Sequence, residues 1–393
     1  GFGTVVTGTL LAGEISVGED VEVQPIGKAA RIRGIEVHGE KVQRAEAGQR
    51  TAINLHGVNL DEVDRGHLLG RPGTFSPSSL FDASLEMVDT AERPLKDGAR
   101  VRFHLGTDEI MARVTLLDPQ GIRQLEPGGH TYVQLRLERP SAAFPGDRFI
   151  VRRYSPVITI GGGTINDNLP LRHKRREAEA VAAHLSSLEA GTPEQRLALL
   201  AEDAGLKGLA APTAAVRAGL HLKEAGDLLR RLVEQGRLVS LGENPLTVCP
   251  AAVYGKLRDA LLTTLEAYHS EQTLRGGMPR EELRVRTGAE DGLFRRLLSE
   301  LSGEGVVKAV ADEVALTSHR VTLSADEQEI RNALVEVYDK AGFTPPSMAD
   351  ALDRAGGDRG TAEKIFHLLL REGGLVRITT DLTLSRASMD EVK

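Results

Sequence analysis

Five consecutive residues, Arg172-His173-Lys174-Arg175-Arg176, form the densest cationic run in the chain. Guanidinium and ammonium groups at that spacing attract phosphate, and such contacts add affinity that depends on salt and ignores sequence. A solvated linker or a helix start accounts for the run equally well. Further arginines stand later, as Arg230 and Arg231, Arg295 and Arg296, and Arg371. The opening Gly1-Phe2-Gly3-Thr4-Val5-Val6-Thr7-Gly8-Thr9 has the glycines of a phosphate loop without its chemistry. No Gly-x-x-x-x-Gly-Lys-Ser/Thr occurs, so no lysine is supplied to a terminal phosphate. β-forming residues follow the glycines, where an anion site would need the amino end of a helix. Eleven histidines are scattered without a His-Glu-x-x-His. His38, His56, His67 and His104 read as surface or structural side chains rather than metal ligands. No nucleophile, base and acid are set out together. The chemistry on offer is binding, with no catalytic residue, metal or cofactor expected in this chain.

The elements that position these residues must form several domains, because 393 residues exceed one ordinary core. Hydrophobic residues at 40% and charged residues at 27% are globular values. No run of about eighteen apolar residues exists, so no membrane-spanning helix or membrane partner is expected. The single Cys249 excludes a disulfide framework and a cysteine zinc site, and fits a reducing cytoplasm. Aromatics at 4%, with no Trp, argue against a base-stacking platform. The net charge of −7 rules out one large basic surface, so any nucleic-acid contact must come from local patches. The chain enters a strand-like segment at once, with no Met or signal peptide, and reads as cut inside a domain.

Residues 1–160 alternate apolar and polar at period two, as in Val21-Glu22-Val23-Gln24 and Thr51-Ala52-Ile53-Asn54-Leu55, with glycine-rich turns between. Many short strands at this spacing predict barrels rather than a parallel sheet. The turn-rich Arg71-Pro72-Gly73 to Ser76-Pro77 stretch divides a first barrel, 1–75, from a second, 76–171. From 172 the period becomes helical. Gly236, Gly305 and Gly374 then recur at one constant interval, each after an amphipathic helix and before a short strand, a turn and a second strand. The turns fall at Gly242-Glu243-Asn244, Ala311-Asp312-Glu313 and Thr380-Asp381. Leu232, Leu301 and Leu370 stand four residues before the glycines, on one helical face. Helices closed by a hairpin make a winged helix, and a fixed repeat makes tandem modules. The expected units are 172–249 (basic junction and first winged helix), 250–320 and 321–393. The fold class is multidomain: two all-β barrels, then winged-helix modules of α+β, mainly helical, type. Such helices and wings can contact a duplex or hairpin, or serve as protein contacts and spacers.

Several segments carry a resemblance. Gly3-Thr4-Val5-Val6-Thr7-Gly8-Thr9 with Gly13-Glu14-Ile15, Ala47-Gly48-Gln49-Arg50 and Val63-Asp64-Arg65-Gly66-His67-Leu68 resemble the second domain of translational GTPases. Phe103-His104-Leu105-Gly106-Thr107, Pro145-Gly146-Asp147-Arg148-Phe149 and Gly161-Gly162-Gly163-Thr164-Ile165 resemble the third. With the winged-helix tail, the whole chain is similar to the bacterial selenocysteine-specific elongation factors. The barrel motifs are shared with the general aminoacyl-tRNA carrier; the order of barrels, basic junction and winged helices is the specific part.

The resemblance implies a cytoplasmic, monomeric translation factor. It would carry selenocysteyl-tRNA and bind a messenger RNA hairpin on the ribosome beside an in-frame UGA. GTP and magnesium would belong to a GTP-binding domain outside this sequence, and a fourth winged helix to a segment after Lys393. It also implies an aminoacyl-tRNA pocket using Arg65 and Glu36, with His38 on the same face if its strand is regular. Selenocysteine arrives as an anion while serine and cysteine arrive neutral, so a fixed cation rewards only the former. Arg100, Arg102, Arg152 and Arg153 become candidate contacts to tRNA phosphates, and Arg172, Lys174, Arg175 and Arg176 a basic junction. Two other readings remain: a translational GTPase of the general elongation or initiation type, and a winged-helix DNA-binding regulator.

Overall fold

Val21, Val23, Ala30, Ile32, Ile53 and Leu55 lie buried at a period of two along their strands, Ile35 joins them past an irregularity in register between Ile32 and Gly34, and together they build the first core. In the computed structural model, which describes residues 3–379 and 382–391, they sit on strands β1 (Thr4–Thr9), β2 (Glu14–Ser16), β3 (Asp20–Gln24), β4 (Lys28–Val37), β5 (Glu40–Val42), β6 (Arg44–Glu46), β7 (Arg50–His56) and β8 (Leu68–Gly70). The main sheet runs β1-β7-β4-β3-β8, β5 continues β4, and β2 pairs with β6. Val37 pairs with Glu40 across a two-residue turn, His38-Gly39, whose φ angles of 54° and 84° suit a hairpin.

The second domain is a closed antiparallel barrel, β11-β12-β14-β9-β16-β15. Its strands are β9 (Ser78–Met87), β10 (Leu95–Lys96), β11 (Arg100–Leu105), β12 (Asp108–Leu116), β13 (Gln124–Leu125), β14 (His130–Ser141), β15 (Arg148–Arg153) and β16 (Thr159–Asp167), with β10 and β13 paired beside it. Phe81, Leu85, Phe103, Val114, Leu135 and Phe149 fill the interior. Each buried large side chain contributes about 1.5–3 kcal/mol. The triple glycine on β16 has a steric cause: a Cβ on Gly163 would stand 1.8 Å from the Ser84 carbonyl oxygen. Closure brings β9 and β15 too near for any side chain there.

The first helical module comprises α1 (Ala178–Ala190), α2 (Pro193–Ala204), β17 (Leu209–Ala210), α3 (Ala211–Ala218), α4 (Leu222–Glu234), β18 (Leu238–Glu243) and β19 (Leu246–Pro250). Thr192 caps α2 with Gln195 in a reciprocal capping box, and Pro193 takes its first turn. Leu197, Leu229, Leu232 and Val248 form its core, and the barrel's Leu117 enters the same cluster. Barrels and first module together make one of two units, Gly1–Val253; the other is Tyr254–Lys393.

The second unit begins in α5 (Ala251–Glu271), followed by β20 (Met278–Pro279), α6 (Arg280–Thr287), α7 (Asp291–Gly303), β21 (Val307–Val310) and β22 (Glu313–Leu316). A third module has α8 (Ala325–Ala341), α9 (Met348–Ala355), α10 (Arg359–Glu372), β23 (Leu375–Arg377), β24 (Thr383–Ser385) and α11 (Arg386–Asp390). Leu274, between α5 and β20, is buried in the third module's core. The repeat differs from its sequence reading by one residue. Gly236 and Gly305 end their helices with left-handed φ of 70° and 72°, but in the third module that residue is Gly373, at 76°. Leu369, not Leu370, is therefore the fully buried counterpart of Leu232 and Leu301. The expected turn at Thr380-Asp381 lies outside the described residues. No helix among them is long and apolar enough to cross a membrane.

Candidate functional site

The three residues expected to share an aminoacyl pocket do not come together. Glu36 is exposed near the Val37 end of β4, opposite Lys41 on β5 and Ala52 on β7. His38 does not share its face, because β4 stops at Val37 and His38 turns with a left-handed φ of 54°. Arg65 belongs to the opposite end. It precedes β8, whose Leu68 pairs with Gln24 beside the Val23–Lys28 pair. Lys28 also ion-pairs with Glu62 of the same connection. Lys28 and Glu36 are eight residues apart on one strand, about 26 Å. Two cations stand near Glu36: Lys41, directly opposite it on β5, and Arg50 on β7. Glu36 faces Ala52, so Arg50 is its diagonal neighbour on the same outer face, about 7–8 Å away. Arg50 is exposed, and its side chain takes part in no hydrogen bond or ion pair among the described residues. The alternating pattern of β7 put Arg50 on the outward face; its strand neighbour was not legible without the register.

Arg65 instead lines an open cleft of about 470 Å³ with His67, Asp64, Ile26, Arg139 and Pro140. His67 Nδ1 accepts the Asp64 amide hydrogen at 3.2 Å, which leaves Nε2 to carry the imidazole hydrogen. Arg139 pairs with the buried Asp108. Gly66 packs directly on Asp108: with φ at 98°, a Cβ there would lie 2.7 Å from that residue's Cβ. The first sheet and the barrel therefore meet at this turn, and Phe75 against Phe144, centroids 4.6 Å apart, adds a second contact.

The barrel's outer face carries arginines in register. Arg136 pairs with Arg113 and Arg113 with Arg100; Arg102 pairs with Arg152. Two carboxylates sit among them. Glu138 takes both nitrogens of Arg100, at 2.7 and 2.8 Å, and Glu109 binds Arg102. Both carboxyls are held below the usual range by the hydrogen bonds of those guanidiniums. The Tyr154 ring lies 5.1 Å from the Arg100 guanidinium. Arg152 reaches the Val157 carbonyl, and Arg153 turns to the Arg93 carbonyl at 2.9 Å, away from this row. Arg113 and the exposed Arg136, absent from the sequence candidates, complete the face; period-two alternation on their strands was the available signal.

At the junction, His173 turns inward and its neighbours stay exposed. Its Nε2 lies 2.5 Å from Asp82 Oδ2, and Gln134 bridges Asp82 and the Leu171 carbonyl at 2.8 and 2.9 Å. Burial raises the Asp82 carboxyl against the pull of His173. Burial also opposes the His173 charge, but the Asp82 hydrogen bond and charge outweigh it and hold that imidazole above its ordinary value. Arg172, Lys174, Arg175 and Arg176 are exposed, with Arg175 3.5 Å from Asp97 and Arg176 3.7 Å from Glu177.

The helical modules spend much of their charge internally. Arg230 pairs with Asp227, Arg295 with Asp291 and Arg296 with Glu300, while Arg371 donates to the Leu274 carbonyl at 2.9 Å. Arg258 makes a double contact with Glu304 at 2.8 and 2.5 Å. Among the described residues no three His, Cys, Asp or Glu gather as a metal site.

Comparison with known proteins follows the same order of domains. Residues 3–70 match the elongation factor Tu domain 2 family, and 83–171 the selenocysteine-specific elongation factor beta-barrel domain. Residues 262–316 match the elongation factor SelB winged helix. Over 394 aligned positions the chain is 33% identical to the selenocysteine-specific elongation factor of Desulfomicrobium baculatum, across 100% of this chain and 61% of that protein. A crystal structure of the bacterial selenocysteine-specific elongation factor EF-Sec shares the fold, with a TM-score of 0.60 at 20% identity, over 100% of this chain and 58% of that one. The chain thus spans about three-fifths of the length of the curated relative it matches. By its domains, their order and its whole-length identity, it belongs to the selenocysteine-specific elongation factor family.

Proposed function

We propose that this chain supplies the RNA-binding part of a selenocysteine-specific elongation factor. The barrels hold selenocysteyl-tRNA, and the winged-helix string reaches toward a messenger hairpin on the ribosome, so that UGA is read as selenocysteine. Tethering gives the tRNA a high effective concentration at one codon. The observation that carries this reading is the arginine face of the closed barrel, with Arg136, Arg113 and Arg100 in one row and Arg102 and Arg152 in the next. Such a face neutralises phosphates without reading sequence.

The aminoacyl end is assigned to the Glu36 end of the first sheet, with Arg50 as the cation that favours the selenolate. The Arg65 cleft, with Arg139 and His67, suits a phosphate of the same tRNA. GTP and magnesium do not fit this chain. The glycines of its opening lead into β1, whose backbone is paired with β7, and the sequence has no phosphate-loop lysine. Filter binding of the chain to tRNA and to a DNA duplex of equal charge tests the reading. Tighter, salt-dependent tRNA binding supports it, and a preference for the duplex overturns it.

A further inference from the structure

We infer that the basic junction extends the barrel's arginine face, so that Arg172, Lys174 and Arg175 hold the backbone of the same bound tRNA. This rests on the tRNA-binding reading of the barrels. Three observations carry it. First, the run is held in place before any ligand arrives. The His173 side chain and amide bind Asp82 and Gln134, and Gln134 also binds the Leu171 carbonyl. The backbone is therefore fixed on the barrel while Arg172 and Lys174 are exposed on either side of His173. Fixed donors lose less entropy on binding than donors on a free linker.

Second, the two cationic surfaces are continuous. Gln134, beneath the junction, is two residues from Arg136 on β14, about 7 Å along the same outer face. Arg113, opposite Arg136, reaches the Gly98 carbonyl, and the next residue back, Asp97, is the partner of Arg175. Third, carboxylates offset the run only in part. Glu177 accepts the Lys174 amide and pairs with Arg176, but the Arg172 and Lys174 side chains make no ion pair among the described residues, and Arg175 shares Asp97 with Arg123, 3.7 Å away. A strip of fixed cations of this kind suits a phosphate chain.

The test measures binding of the 393-residue chain to a selenocysteine-type tRNA transcript across a salt series. Variants are Arg172→Ala with Lys174→Ala, the charge reversal of the same pair, and Arg100→Ala with Arg113→Ala. The junction pair should lower the slope of log affinity against log salt by about two, with an unchanged melting temperature. Reversal should weaken binding further. An unchanged slope for the junction variants, beside a reduced one for Arg100→Ala with Arg113→Ala, overturns the junction proposal alone. If neither set matters, the barrel reading itself fails. A messenger-type RNA hairpin serves as the second arm: equal or larger losses on it overturn the assignment to tRNA.

Discussion

Arg217 of the first helical module grips Asp167 at the end of the barrel, with Nε 3.2 Å from Oδ1 and Nη2 against Oδ2. Only 12% and 5% of the two side chains are exposed. Asp203 approaches the same guanidinium at 3.5 Å, and Asn168 alongside donates to the Ala143 carbonyl at 2.7 Å. Leu117 of the barrel is also buried in the module's core, so barrel and winged helix pack directly on one another. Removing one partner strands the other without water. Arg217→Met should therefore cost about 3–5 kcal/mol, and Arg217→Met with Asp167→Leu should recover much of it. Urea denaturation measures both. A loss under about 1 kcal/mol in the single variant would show that the pair is not structural.

The same junction should weaken as pH rises. His184 Nε2 lies 3.2 Å from Asp203, whose hydrogen bond and charge raise that imidazole above its ordinary value despite burial. His173 is raised in the same direction. A histidine that binds its proton more tightly when folded stabilises fully below the unfolded value, and that contribution vanishes as pH passes the raised one. The melting temperature of the 1–253 unit should fall as pH climbs above 6.5. His184→Gln should flatten part of that fall; coincident profiles for the two proteins would remove His184 as the cause.

How much of this was legible depends on what each feature needed. Strand alternation needs only neighbours in sequence, so the two β-domains and their buried residues could be read from Val21-Glu22-Val23 and its like. The helical repeat was legible for the same reason, and the slip from Gly374 to Gly373 shows its limit. Composition cannot say which of two adjacent glycines takes the left-handed turn. The grouping of the pocket residues is a different case. Arg65 and Glu36 were grouped by resemblance, yet their distance depends on how β8, β3 and β4 align, which no local pattern encodes. Arg217, the barrel's deepest link to the tail, carried no signal at all, since an arginine at the end of an alanine-rich helix reads as solvated.

Arg50 and Arg65 can be separated by ligand. In a protein that includes the GTP-binding domain, Arg50→Ala should weaken selenocysteyl-tRNA binding at least tenfold more than seryl-tRNA binding, a difference of about 1.4 kcal/mol. Arg65→Ala should weaken both alike, because a phosphate contact does not sense the amino acid. The reverse pattern would restore Arg65 as the selective cation.

Gly66→Ala tests the seam between the two β-domains. The new methyl would meet Asp108 at 2.7 Å, in a backbone with φ of 98° that alanine rarely adopts. Relief requires the Arg65-Gly66 turn to leave the barrel. A destabilisation of about 1–3 kcal/mol is expected. Chemical denaturation measures it, and Gly73→Ala, also at positive φ but with open space around it, separates backbone strain from the clash. Equal costs for the two would mean that the approach to Asp108 contributes nothing.

In the second unit the pH dependence has the opposite sign. His269 Nε2 accepts the Leu316 amide hydrogen at 3.2 Å, so it must be neutral there, and its ring stacks on His319 at 3.7 Å. Burial, with His319 and Lys308 as neighbouring cations, pulls it down to about 4. The unfolded chain therefore takes up a proton that the folded one refuses between its ordinary value, about 6.5, and 4. Stability is complete above that window and is lost as pH falls through it. His319 Nε2 meets the Arg275 carbonyl at 3.0 Å, next to Leu274 in the third module's core. Charging His269 should thus loosen the seam between the second and third modules first. Hydrogen exchange at pH 7 and pH 5 should show residues 272–277 and 316–320 opening in acid, and His269→Gln should suppress the change. Acid opening confined to other segments, or undiminished in the variant, would rule out His269 as its origin.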